Sequence, residues 1–146
     1  MRRRSTLNRL CCGLSLLLSL PAGSAVCSVS AAGLAFGSYA PLSEQPLDSA
    51  AAITVTCDVA VAYALALSSG GGSFMDRRMS GPGHELRYNL YVDVPRVTVW
   101  GDGSSATAVV SGSVTPGNHT VYGRVLPRQN VAAGTYVDNI IVTLTY

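Results

Sequence analysis

Hydrophobic and polar positions alternate with a period of two along most of the chain. Ala51–Cys57 sets Ile53, Val55 and Cys57 on one face and Thr54 and Thr56 on the other. Val61–Leu67 sets Val61, Tyr63, Leu65 and Leu67 against Ala62, Ala64 and Ala66. Tyr88–Val92, Val97–Trp100 and Thr120–Leu126 repeat the pattern, the last around Gly123. Tyr136–Tyr146 puts Ile140, Val142, Leu144 and Tyr146 on one face, and Leu34–Tyr39 is a shorter candidate. Such alternation marks half-buried β-strands, because successive side chains point to opposite faces. No segment carries an apolar stripe of helical period with caps. Asp102-Gly103, Pro116-Gly117-Asn118 and Ala133-Gly134 punctuate the strands with turn residues. The Gly/Ser-rich segment Ser68–Gly83 reads as a mobile surface loop. Several short strands at this spacing predict an all-β sandwich in one domain.

The first 25 residues break the pattern. Arg2, Arg3, Arg4 and Arg9 form a positive start, and Leu10–Leu20 is an apolar run of 11 residues. Pro21 ends it, and Ala22-Gly23-Ser24-Ala25 supplies small residues for cleavage. This is the layout of a secretory signal peptide, 1–25, followed by a mature domain, 26–146. A membrane-spanning helix needs about 20 apolar residues, so no span is expected. The signal also changes the charge. Of ten Arg, four lie by Arg9, which leaves six against eight Asp or Glu, and there is no Lys. A basic nucleic-acid-binding surface is thereby excluded. Cys11 and Cys12 leave with the signal, so Cys27 and Cys57 remain. An even pair in an exported chain points to one disulfide, with two free thiols as the alternative. Closing a loop of this length stabilises by about 3.5 kcal/mol in the chain-entropy model.

The chemistry of catalysis is thin. His84 and His119 are the only imidazoles, and no nucleophile-elbow pattern is present. Two Cys and two distant His have no metal-ligand spacing, so no metal or cofactor is expected. Gly70-Gly71-Gly72 lacks the following Lys of a phosphate loop. Arg77-Arg78 reads as a solvated pair beside Asp76 rather than an anion clamp. The strand aromatics read as core or cross-strand pairs rather than a carbohydrate site. The expectation is a protein that is not an enzyme.

The last strand runs to Tyr146, and nothing in the sequence is left over to cover it. A bare apolar edge invites pairing with another chain, so a strand from a partner is expected to complete the fold. The motifs agree. Cys27-Ser28-Val29-Ser30 with Leu34–Tyr39, then Ile53–Cys57, Arg78-Met79 and Leu86–Asp93 follow in order. Trp100–Gly103, Val121–Val125 and Gly134–Asp138 complete the series. Together they resemble the spore coat protein U domain, which also occurs in pilin subunits of archaic, Csu-type chaperone–usher fimbriae.

The resemblance implies an incomplete immunoglobulin-like β-sandwich lacking its last strand, completed by a donor strand. It implies that Cys27 and Cys57 are the bridging pair. It implies an acceptor-groove strand carrying Ile140, Val142, Leu144 and Tyr146. The implied partners are a periplasmic pilus chaperone, an outer-membrane usher and other pilin subunits. The implied location is the periplasm in transit, then the cell surface. Polymerising pilins carry a donor segment before the first Cys, whereas Val26 alone separates the expected cleavage site from Cys27. A terminal subunit or a non-polymerising secreted relative is therefore expected. The alternative is an adhesin whose loops Ser68–Gly83 and Asp102–Ser105 meet a surface.

Overall fold

The computed structural model describes residues 24–146. All but the last two residues of the expected signal segment 1–25 lie outside them. The described residues form nine strands and no helix. The strands are β1 Cys27–Ala31, β2 Leu47–Cys57, β3 Tyr63–Leu67, β4 Gly72–Ser73 and β5 Asp76–Ser80. They continue with β6 Glu85–Tyr91, β7 Val110–Gly112, β8 Gly117–Val125 and β9 Val142–Thr145. Six pair antiparallel in the order β1-β2-β8-β6-β5-β4, and three in the order β7-β3-β9. This is the expected all-β, two-sheet architecture.

Alternation places the core. On the larger sheet Ile53, Val55, Leu86, Tyr88, Leu90, Val121 and Val125 point inward. Tyr63, Leu65 and Leu67 meet them from the smaller sheet. Trp100 has no exposed surface and ties the sheets together. Its indole Nε1–H donates to the Leu65 carbonyl at 3.0 Å, and its backbone N–H donates to the Leu90 carbonyl. A buried indole needs such a partner, and this one fixes the spacing of β3 from β6.

Cys27 stands directly opposite Cys57 across β1 and β2, and the two form the disulfide. On either side of this pair, Val26 and Asp58 and then Ser28 and Thr56 take the hydrogen-bonding positions. Cys27 and Cys57 are thus a non-hydrogen-bonded pair, the kind that brings Cα atoms closest, here 4.1 Å. Both sulfurs join the core cluster.

Several expectations change. Val97–Trp100 forms isolated bridges rather than a strand. Leu34–Tyr39 forms no ladder, and of Tyr136–Tyr146 only Val142–Thr145 pairs continuously. Ser68–Gly83 is not a loose loop, because it contains β4 and β5 and buries Arg77 completely. Arg77 makes four hydrogen bonds. Nε and Nη2 donate to the Ser68 carbonyl, Nη2 also to the Trp100 carbonyl, and Nη1 to Asn89 Oδ1. Burial pulls its pKa down from the ordinary value, and these acceptors hold the charge in place. Arg78 is the solvated member of the doublet, paired with Asp76 and Glu85.

Gly123, near the end of β8, lets the chain before β2 lie close on the sheet. A Cβ there would sit 2.7 Å from Phe36 Cζ and 3.0 Å from Leu34 Cδ1. Gly123→Ala should push both side chains outward and lower stability by about 1–3 kcal/mol in urea unfolding. Unchanged stability would show that this close approach is not maintained in solution.

Candidate functional site between two open strand edges

Backbone pairing sets up the site. The Ser68 N–H donates to the Ile141 carbonyl, and Ile141 N–H donates to Ser68 Oγ. Thr143 and Thr145 continue this face of β9 toward Ala66 and Ala64 of β3. Backbone groups alternate in direction along a strand. Ile140, Val142 and Leu144 therefore turn their N–H and C=O groups the other way. Among the described residues those groups have no partner. The same holds for β1. Ser28 and Ser30 pair with β2, whereas the backbone groups of Cys27, Val29 and Ala31 have no hydrogen-bond partner among the described residues. Beyond β1, the N–H groups of Gly33–Tyr39 also find no partner among the described residues.

A trough with an apolar floor starts at these edges. One part, a cavity of about 410 Å³, has walls at Ala31–Leu34 and Tyr136–Ile140. Its floor includes Ile53, Leu67, Leu90 and Val121. The other part, about 800 Å³, runs past Phe36, Tyr39, Leu86, Val125 and Val131. Both parts share Leu34, Phe36, Met79 and Tyr136, so they form one continuous trough. Leu34, Phe36, Tyr136, Ile140 and Val142 pack against the core but stay only half-buried. Burying them further is worth about 25 cal/mol per Å² of apolar surface.

The predicted acceptor residues fall as follows. Ile140 and Val142 line the trough. Leu144 packs on the core cluster at its end, and Tyr146 follows β9 and is exposed. Asp138 closes the Gly134–Asp138 motif but was given no site role from sequence, and it lines the trough beside Ile140. Its Oδ2 accepts from Tyr88 Oη at 2.6 Å, and its Oδ1 accepts from Gly71 N at 2.9 Å. Burial, and then the Asp138 carboxylate, hold the Tyr88 hydroxyl well above the usual phenol range. The ring of Tyr88 is itself part of the trough and meets Phe36 edge-on at 5.9 Å.

Among the described residues no arrangement of catalytic type forms around the imidazoles. His119 Nε2 lies 2.8 Å from the Tyr63 hydroxyl, between the sheets, and His84 is exposed with Nδ1 at the Pro82 carbonyl. Among the described residues no group of three or more His, Cys, Asp or Glu is placed to hold a metal ion. No helix of the described residues is long and apolar enough to cross a membrane.

The family described as Spore Coat Protein U domain matches residues 14–143. The chain belongs to the Spore Coat Protein U domain family. This membership places the protein among structural proteins rather than enzymes. Protein U of Myxococcus xanthus is 41% identical over 61 residues, which is 42% of this chain and 34% of that protein. A similar solved structure is the CsuC–CsuE chaperone–tip adhesion subunit pre-assembly complex, from archaic chaperone–usher Csu pili of Acinetobacter baumannii. It superposes with a TM-score of 0.60 at 23% identity, covering 84% of this chain and 40% of that one, which is a likeness of fold. The Spore Coat Protein U domain chain thus spans well under half the length of either relative.

Tyr88 is the link between trough and core in this Spore Coat Protein U domain. Tyr88→Phe leaves Asp138 with backbone donors only, and should cost about 1.5–3 kcal/mol in urea unfolding. A loss below about 0.5 kcal/mol would show that the hydroxyl does not hold the carboxylate.

Proposed function

We propose that the protein is an exported structural subunit of a surface fibre of chaperone–usher type. Its domain, residues 26–146, accepts a strand from another polypeptide in the trough between β1 and β9. One observation carries this reading. Among the described residues two strand edges without hydrogen-bond partners lie beside one trough, so one inserted strand would satisfy backbone groups on both sides and cover the apolar floor. Ile140, Val142 and Leu144 form the acceptor strand, with Tyr146 at its exposed end. The described fold is then an immunoglobulin-like sandwich short of its last strand.

The partners follow from the same chemistry. A bare trough of this kind is an aggregation hazard during export. A periplasmic chaperone supplies the covering strand in transit, and another subunit replaces it at an outer-membrane usher. Support comes from the fold shared with a chaperone–subunit pre-assembly complex and from family membership. Localisation is the periplasm in transit and then the cell surface.

The test is strand capture by the purified exported protein. A peptide of alternating apolar residues, at a hundredfold excess over its Kd, should raise Tm by about 10 °C. Ile140→Asp together with Val142→Asp should abolish the gain. A Tm that no alternating peptide and no co-expressed pilus chaperone shifts would contradict the proposal.

A further inference from the structure

The inward face of the acceptor edge is not uniformly apolar. In order it carries Asp138, Ile140, Val142 and Leu144. The carboxylate of Asp138 is held rigidly. Oδ1 accepts from Gly71 N at 2.9 Å and from Asn139 N at 2.7 Å. Oδ2 accepts from Tyr88 Oη at 2.6 Å and again from Gly71 N at 3.1 Å. Gly70 packs against its far side so closely that a Cβ there would overlap the carboxylate. The trough is the side that stays open. No arginine pairs with it among the described residues. Arg77 spends its donors on Ser68, Trp100 and Asn89, and Arg78 pairs with Asp76 and Glu85.

We propose that Asp138 fixes the register of the incoming strand, by requiring a cation or hydrogen-bond donor on the inward donor side chain that lies beside it. This rests on the strand-acceptor reading above. Residues that face each other across paired strands share a face of the sheet, in parallel and in antiparallel ladders alike. The donor residue opposite Asp138 therefore points into the trough next to the carboxylate. An apolar side chain there removes water from a charge and gives nothing back. A Lys, Ser or Thr returns a hydrogen bond.

The consequence is selectivity that apolar alternation alone lacks. A slip of one residue turns every donor side chain to the wrong face and is already forbidden. A slip of two residues keeps the faces correct and costs an apolar-only trough little. It does move the polar donor residue from Asp138 to Ile140, where it is unpaired. One polar position in an apolar seam sets register in the same way in coiled coils. The occupant is therefore an extended segment of another polypeptide, apolar at its inward positions except one.

The experiment is a position scan against the exported protein as purified. Nine-residue peptides alternating Val with Thr receive Lys or Ser in place of one Val at a time, and Kd is read by fluorescence anisotropy. At one position, Lys and Ser should bind about 10- to 100-fold tighter than Val, and at the others weaker. Added salt should reduce the Lys preference and spare the Ser preference. Asp138→Asn should erase the Lys preference at that position alone. The scan uses the unaltered protein, so it decides the matter even where a variant fails to fold. Binding that is tightest for the all-Val peptide at every position overturns the register role and leaves strand acceptance standing. No binding by any peptide overturns both.

Discussion

Two strand edges cannot lie unpaired over an apolar floor without consequence, and the rest of this structure is arranged around that constraint. On β9 and the residues just before it the groups facing β3 are satisfied, and among the described residues those of Ile140, Val142 and Leu144 have no partner. On β1 the groups facing β2 are satisfied, and among the described residues those of Cys27, Val29 and Ala31 have no partner. Each strand is tied down on one side only. The disulfide clamps β1 to β2 at its start, so the open edge keeps its place without a partner on the trough side.

The interior beyond the trough carries the stability that an open fold would otherwise lack. Trp100 spans the sheets through the Leu65 carbonyl. Arg77 gathers the Ser68 and Trp100 carbonyls and Asn89 into one buried network, which pins the β4–β5 hairpin to the end of β3. Breaking such a network leaves a buried charge unpaired, which is strongly destabilising. Removing Ser68–Gly83 would therefore damage the core, so loop deletion is not a clean probe of surface adhesion. Asp138 connects this rigid half to the trough through Tyr88 and Gly71.

Much of this was legible in the sequence, and the failures share a cause. Alternation located β2, β3, β6 and β8, because each has one buried face. It missed β5, where Arg77 and Met79 point inward beside Arg78, since a buried arginine looks polar in a pattern. It predicted strands at Leu34–Tyr39 and Tyr136–Tyr146, of which the first has no ladder and the second only a short one. Alternation reports which side chains face inward and says nothing about whether the backbone finds a partner. Both segments alternate in burial, and both wall the trough. Asp138 was legible in principle as the one acid in an inward series that is otherwise Ile140, Val142 and Leu144. Its contacts with Gly71 and Tyr88 are long-range, and no local pattern carries them.

In the proposed function, β1 and β9 hold open edges that a single added strand closes. Amide hydrogen exchange with and without a bound donor peptide measures this directly. The amides of Val29, Ala31, Ile140, Val142 and Leu144 should exchange fast in the isolated protein and become protected together when the peptide binds. Thr143, already paired with β3, should be protected in both. Protection of those five amides before any donor is added, or their continued fast exchange after it binds, would contradict the account.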